Sequence, residues 1–235
     1  MSVLEATTGF RHFHQQLDTL KQRLLAMSER AESLVDLAVD ALLSHDAAKA
    51  EAVIIADAEV DELEIEIEQL GIALLALQQP MARDLRFIIS AIKISSDLER
   101  VGDHAVNISQ SVERLTALGQ SIMPDPEIEE MARRSREMLG DALDAFVRAD
   151  GTLAREVCAR DDQVDALHDS VFRILVTHMM ENPHTISAAM ELFLVSRNLE
   201  RVADLATNIA EDAVYLAEGK PVSYTHLTLP TICSV

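Results

Sequence analysis

Two stretches of this 235-residue chain spell nearly the same words. Asp97–Ile108 reads DLERVGDHAVNI and Asn198–Ile209 reads NLERVADLATNI, so Leu-Glu-Arg-Val, a small residue, Asp, Ala and Asn-Ile return in order 101 positions later. The apolar members alternate at spacings of three and four: Leu98, Val101, Ala105, Ile108, Val112 and Leu115, then Leu199, Val202, Ala206, Ile209, Ala213 and Leu216. That spacing keeps returning to one side of a helix. Each copy is therefore an amphipathic helix whose seam suits bundle packing at shallow angles.

The repeat reaches into the preceding helix. DAEVDELE at 57–64 corresponds to DDQVDALH at 161–168, with Asp57 matching Asp161 and Asp61 matching Asp165. There too a seam runs, through Val53, Ala56, Val60, Leu63, Ile67, Leu70, Leu74 and Leu77. It overrules the strand-like alternation of ELEIEIE at 62–68. Breaks at SHDAA, QQPMA, LGQSIMPDP, ADGT and ENPH divide the text into six helices, roughly 8–44, 47–77, 81–118, 126–149, 152–181 and 184–218. Asp46, Asp125 and Asn182 are the expected N-caps, with Pro126 at a first helical position.

The expected fold is all-α, two tandem three-helix bundles. The first repeat spans 1–118, a linker 119–125 and the second repeat 126–219. Residues 220–235 carry no charge after Lys220 and are rich in Thr, Pro and Ser. That text reads as translated library-adapter sequence or a disordered tail, and it is set aside from the fold.

Charge narrows the function. Forty acidic residues against twenty basic ones give a formal net charge of −20, which repels nucleic-acid backbones and anionic lipid and attracts cations and basic protein surfaces. With aromatics at 3% the core must be aliphatic. No apolar run is long enough for a membrane span, and MSVLEATTGF lacks the pattern of a signal peptide. Cys158 and Cys233 make no disulfide framework, which fits a reducing compartment. The expectation is a cytoplasmic protein with no nucleic-acid partner and no membrane insertion.

The chemistry lies in the acids. Glu99 and Asp103 stand four apart on one helix face, with Asn107 one turn on, and Glu200, Asp204 and Asn208 repeat the pattern. These positions lie off the apolar seam and are expected to point outward or to the bundle's edge. Asp57, Asp61, Glu64 and Glu68 form a second acidic stripe on the preceding helix, which an antiparallel neighbour could meet. In the second half Asp161 and Asp165 continue it, and His168 and Phe172 replace the later acids. Converging carboxylates repel unless protons or a cation intervene. Oxygen donors suit Mg²⁺, Mn²⁺ or Fe, with Zn²⁺ if a histidine joins.

The competing reading is a solvated face laced by Arg100 and Arg201. His104 points about 100° from Asp103, and its counterpart is Leu205. His168, His178 and His184 read as helix-surface residues and Cys158 as an idle thiol. Gly102 and Ala203 are small enough to let a neighbour approach. No phosphate loop, nucleophile elbow or zinc-finger spacing occurs. The chain is expected not to be an enzyme.

Together LERVGDHAVNI, LERVADLATNIAEDAVYLAEG and PMARDLR resemble the PhoU family of phosphate-signalling proteins over residues 8–219. The resemblance implies pseudo-twofold symmetry between the bundles and surface metal sites of the form Glu/Asp-x-x-x-Asp. On this chain those are Asp57 with Asp61, Glu99 with Asp103, Asp161 with Asp165, and Glu200 with Asp204. The metal would be a divalent or trivalent ion: Mg, Mn, Fe or Zn. It further implies a negative regulator of phosphate uptake and of the phosphate-starvation response. Such a regulator contacts the Pst transporter ATPase subunit and a PhoR-type sensor histidine kinase, and commonly forms a homodimer. The family often has His after the Asp in both repeats, so Leu205 is a departure. Two other classes compete: a metal-independent helical adaptor, and a carboxylate-bridged metalloenzyme. The latter would point its acids inward, often in Glu-x-x-His pairs, which Glu99 and Glu200 lack.

Overall fold

The computed structural model describes residues 3–78, 80–119 and 126–219; Asp125, most of the expected linker and the 220–235 tail lie outside them. Within these limits every regular element is helical: α1 (Val3–Ser44), α2 (Ala47–Ala56), α3 (Ala58–Gln78), α4 (Ala82–Leu118), α5 (Pro126–Arg148), α6 (Gly151–Cys158), α7 (Asp161–Glu181) and α8 (Ile186–Glu218), with a 3₁₀ turn at Pro183–Thr185.

In the first bundle α1 packs on α2, α3 and α4; in the second α5 packs on α6, α7 and α8. The two bundles do not stand apart. Helix α4 lies along α8, α1 touches α5, and the buried side chains form one continuous cluster. The seam residues carry it: Leu98, Val101, Ala105 and Ile108 on α4 and Leu199, Val202, Ala206 and Ile209 on α8 are all fully buried. Each buried Leu, Ile or Val contributes about 1.5–3 kcal/mol. Lys93 meets Asp212 and Arg114 meets Glu191, so α4 and α8 run antiparallel, with the pseudo-twofold axis near Val101 and Val202.

Two of the six expected helices are broken. The second splits at Asp57, where Val60 N–H bonds Asp57 O at 2.8 Å in a tight i→i−3 turn. The fifth splits at Ala159–Arg160, where Arg160 N–H bonds Val157 O at 2.9 Å and Gln163 N–H bonds Arg160 O at 3.0 Å. The breaks fall at the same place in each repeat, immediately around the first aspartate of each acidic stripe. Short 3₁₀ interruptions of this kind recur at functional positions.

The turns before α2 and α6 also repeat. His45 (φ 52°) and Ala149 (φ 52°) adopt the left-handed conformation. Each is followed by an N–H that bonds five residues back, Asp46 to Ala41 O at 3.0 Å and Asp150 to Ala145 O at 2.8 Å. This is a Schellman ending. Asp46 and Asp150 then cap the next helix by accepting from Ala48 and Lys49 and from Thr152 and Leu153. Asp46 is an N-cap as expected. Asn182 caps the 3₁₀ turn instead, accepting from His184 N–H, and α8 begins three residues later than Pro183 at Ile186.

Candidate metal-binding faces

The two acidic stripes of each half meet. Glu99 on α4 is pushed above the ordinary carboxyl range by partial burial and then by Asp103, Glu64, Asp61 and Asp57. Asp57 is raised to about 6, first by burial, then by Asp61 and Asp103. In the second half Asp161 is likewise raised to about 6 by burial, Asp165 and Asp204. Burial and Asp204 raise Asp165, and burial and Asp204 also raise Glu200. The antiparallel packing of α3 on α4, and of α7 on α8, therefore gathers Asp57, Asp61, Glu99 and Asp103 on one face, and Asp161, Asp165, Glu200 and Asp204 on its mate.

The faces are not wholly outward. Asp61, Asp103 and Asp165 are exposed, but Asp57 and Asp161 are half-buried, and the Oδ1 of each is sealed from water without a hydrogen bond, though the Thr207 hydroxyl lies near enough to Asp161 to lower it. The cause is the helix break, which turns the first aspartate in against the long helix. Gly102 makes room: a Cβ there would collide with Asp57 Oδ1. Ala203, at the corresponding position, is 1% exposed.

An orphaned, buried carboxylate oxygen is costly and calls for a proton or a cation. Two of them at repeat-related positions, among further carboxylates, fit a hard or borderline metal ion. Among the described residues, however, no group of three or more His, Cys, Asp or Glu side chains is placed to hold a metal ion. The two faces also differ in neutralisation. Arg201 lies 2.8 Å from Asp204 and 3.5 Å from Glu200, so in the second half the salt-bridged alternative is partly realised. Arg100 pairs instead with Asp97 at 3.7 Å, on another side of α4 from Glu99 and Asp103. Arg201 thus covers two acids of the second face, whereas Arg100 acts on the first through Glu64.

One histidine departs from its expected role, while His178 and His184 are exposed as expected. His168 is half-buried against Phe193, with ring centroids 5.4 Å apart. Its Nδ1 is 3.1 Å from Ser196 Oγ, and the ring lies close enough to lower Asp165 and Glu200. It borders the second face and is not a plain surface residue. His104 points away from the acids, as its spacing requires, and its Nδ1 is 2.9 Å from Asn198 Oδ1 on α8. Cys158 is half-buried, and burial, then Glu211, raise its thiol.

Two acids were not legible as a site. Asp97, raised to about 6 by burial against the help of Arg100, and Asp212, raised by burial, face one another across α4 and α8. The signal was there: Asp97 is the first letter of the repeated sentence, and its counterpart is Asn198. A groove of about 670 Å³ between α1 and α5 lies away from both acidic faces.

The comparisons with known proteins agree with the repeat. The PhoU domain model matches twice, at residues 24–112 and 128–213. A "phosphate-specific transport system accessory protein PhoU homolog" from Clostridium acetobutylicum is 38% identical over 89% of this chain and 96% of its own length. One from Aquifex aeolicus is 39% identical over 91% of this chain and 96% of its own. The crystal structure of PhoU from Pseudomonas aeruginosa superposes with a TM-score of 0.85 at 38% identity, covering 88% of this chain and 100% of that one.

Proposed function

The chain belongs to the PhoU domain family, and on that premise we propose that it is an accessory regulator of a phosphate-specific transport system. It restrains phosphate uptake and the starvation response when phosphate is plentiful. It does so in the cytoplasm through protein contacts, with the transporter's ATPase subunit and with a PhoR-type sensor kinase, and as a homodimer. The observation that carries this reading is similarity, over about nine-tenths of the chain, to relatives named as accessory proteins of phosphate-specific transport. Among the described residues no helix is long and apolar enough to cross a membrane, which accords with a role beside a transporter.

The two acidic faces supply the chemistry of contact. Asp57, Asp61, Glu99 and Asp103 on one side, and Asp161, Asp165, Glu200 and Asp204 on the other, would hold the ions. A bound cation supplies charge neutralisation. Without it these residues repel any acidic partner surface, and Asp57 and Asp161 bear the strain of unpaired buried oxygens. The role is one of binding and not of catalysis, and the relatives' description as accessory proteins supports that.

The test is a phosphate-starvation reporter in a strain lacking its own member of this family, grown in excess phosphate and supplied with the chain ending at Gly219. Restored repression is the expected result. Continued expression with folded, soluble protein would leave the fold without the function and favour a metal-independent adaptor.

A further inference from the structure

The α4–α8 crossing has two ends related by the repeat, and their chemistry is opposite. At one end Asp97 and Asp212, each with its side chain 14% exposed, share the seam, with Lys93 3.4 Å from Asp212. A shift of 101 positions carries Asp97 to Asn198 and Ser111 to Asp212. The other end thus presents an amide and a hydroxyl where its mate presents two carboxylates. The same shift relates Arg197 to Ser96 and Arg114 to Tyr215, so guanidinium groups stand where the mate has a hydroxyl and a phenol. The result is a groove of about 340 Å³ lined by Arg114, Arg197, Arg201, Ser111, Asn198 and His104 among others, with no carboxylate in its lining. On a chain of net charge −20 such a lining is a local inversion.

The hydrogen bonds leave donors to spare. Asn198 Nδ2 donates to Leu194 O at 2.8 Å and its Oδ1 accepts from His104 Nδ1–H, so neutral His104 offers only a ring lone pair and the spare donors are those of the arginines. Arg114 donates one terminal nitrogen to Ser111 Oγ at 3.1 Å and its Nε forms an ion pair with Glu191 at 2.9 Å, leaving its other terminal nitrogen. Arg201 is drawn toward Asp204. Arg197 is exposed and has no ion pair among the described residues.

We propose that this groove is an oxyanion site for a small phosphate-bearing molecule, either free phosphate or a phosphomonoester. One guanidinium fork satisfies a planar carboxylate, whereas arginines reaching in from two helices match the several oxygens of a tetrahedral dianion. The volume falls at the low end of small-molecule sites, about 300–1,000 Å³, which leaves room for an organic group on the phosphate. The proposal stands apart from the regulatory reading and from the cation faces.

Calorimetric titration of the metal-chelated full chain tests it, with inorganic phosphate, adenosine 5′-monophosphate and uncharged adenosine as probes. Phosphate or the monophosphate binds and adenosine does not. Arg197→Gln weakens that binding about 10-fold or more, the worth of a charged hydrogen bond, while Lys93→Gln at the mate end leaves it within about twofold. Arg197 is exposed, so folding is undisturbed, and circular dichroism verifies it. Tighter binding of the monophosphate identifies the ligand as an ester; tighter binding of phosphate identifies the free anion. No binding of either up to about 10 mM, equal binding of adenosine, or indifference to Arg197→Gln overturns the proposal.

Discussion

Asp57 occupies the space that a side chain at Gly102 would fill: a Cβ on that glycine would collide with Asp57 Oδ1. Alanine is worth about 1 kcal/mol over glycine inside a helix, and overpacking costs about 1–3 kcal/mol. Gly102→Ala therefore changes stability little, because the aspartate rotates out and relieves its own burial. What it loses is the cation: metal content at the first face falls while thermal stability stays within a few degrees. Unchanged metal content would show that Asp57 is not a ligand.

Asp57 and Asp161 give the metal-free protein a pH dependence of definite sign. Folded, each takes up its proton near pH 6; unfolded, such groups do so near pH 4. Between those values the folded state binds more protons, so these two residues make stability rise as pH falls from about 7 toward about 4. Asp57→Asn with Asp161→Asn flattens that part of the slope in melts of chelated protein. A slope identical in wild type and double variant would contradict the burial of these groups.

Arg201 competes with any cation for Glu200 and Asp204. An exposed ion pair is worth about 0.2–1 kcal/mol, so Arg201→Gln tightens cation binding at the second face by up to about fivefold. Competition titrations with a metal-sensitive dye measure it. Weaker binding would mean that the arginine supports the site and does not block it.

His104 ties the two halves together through Asn198 at 2.9 Å. His104→Leu copies the residue that the second repeat has at 205, keeps the helix and removes the bond. The expected loss is about 0.5–1.5 kcal/mol, or roughly 2–4 °C in melting temperature per kcal/mol for a chain of this size. A melting temperature unchanged or raised would show that the contact contributes no stability.

Leu77, the last residue read into the second helix's seam, is 73% exposed, but the α4 seam could be read from spacing alone, since every residue from Leu98 to Leu115 on the three-four pattern is buried. The breaks at Asp57 and Arg160 could not. Val53, Ala56 and Val60 keep the same period across the first break, so the pattern passes through it unmarked. The acidic faces were visible because they are written twice. The depth of Asp57 and Asp161 was not, because it depends on Gly102 and Ala203, which lie on other helices. The reversal from Asp97 and Asp212 to Asn198 and Ser111 was present in the alignment of the two halves. It acquires meaning only once α4 and α8 are seen to cross antiparallel, which brings positions far apart in the chain to the same end.

The central claim is that each repeat keeps an acidic face in order to hold a cation. Elemental analysis of the purified chain, after dialysis against the candidate metals, tests it most directly when run beside two variants. One carries Asp57→Asn, Asp61→Asn, Glu99→Gln and Asp103→Asn; the other carries the matching changes at Asp161, Asp165, Glu200 and Asp204. The account predicts metal in the wild type and the loss of a separate share in each variant. Wild-type protein without metal above buffer, or metal retained in full by both variants, would contradict it.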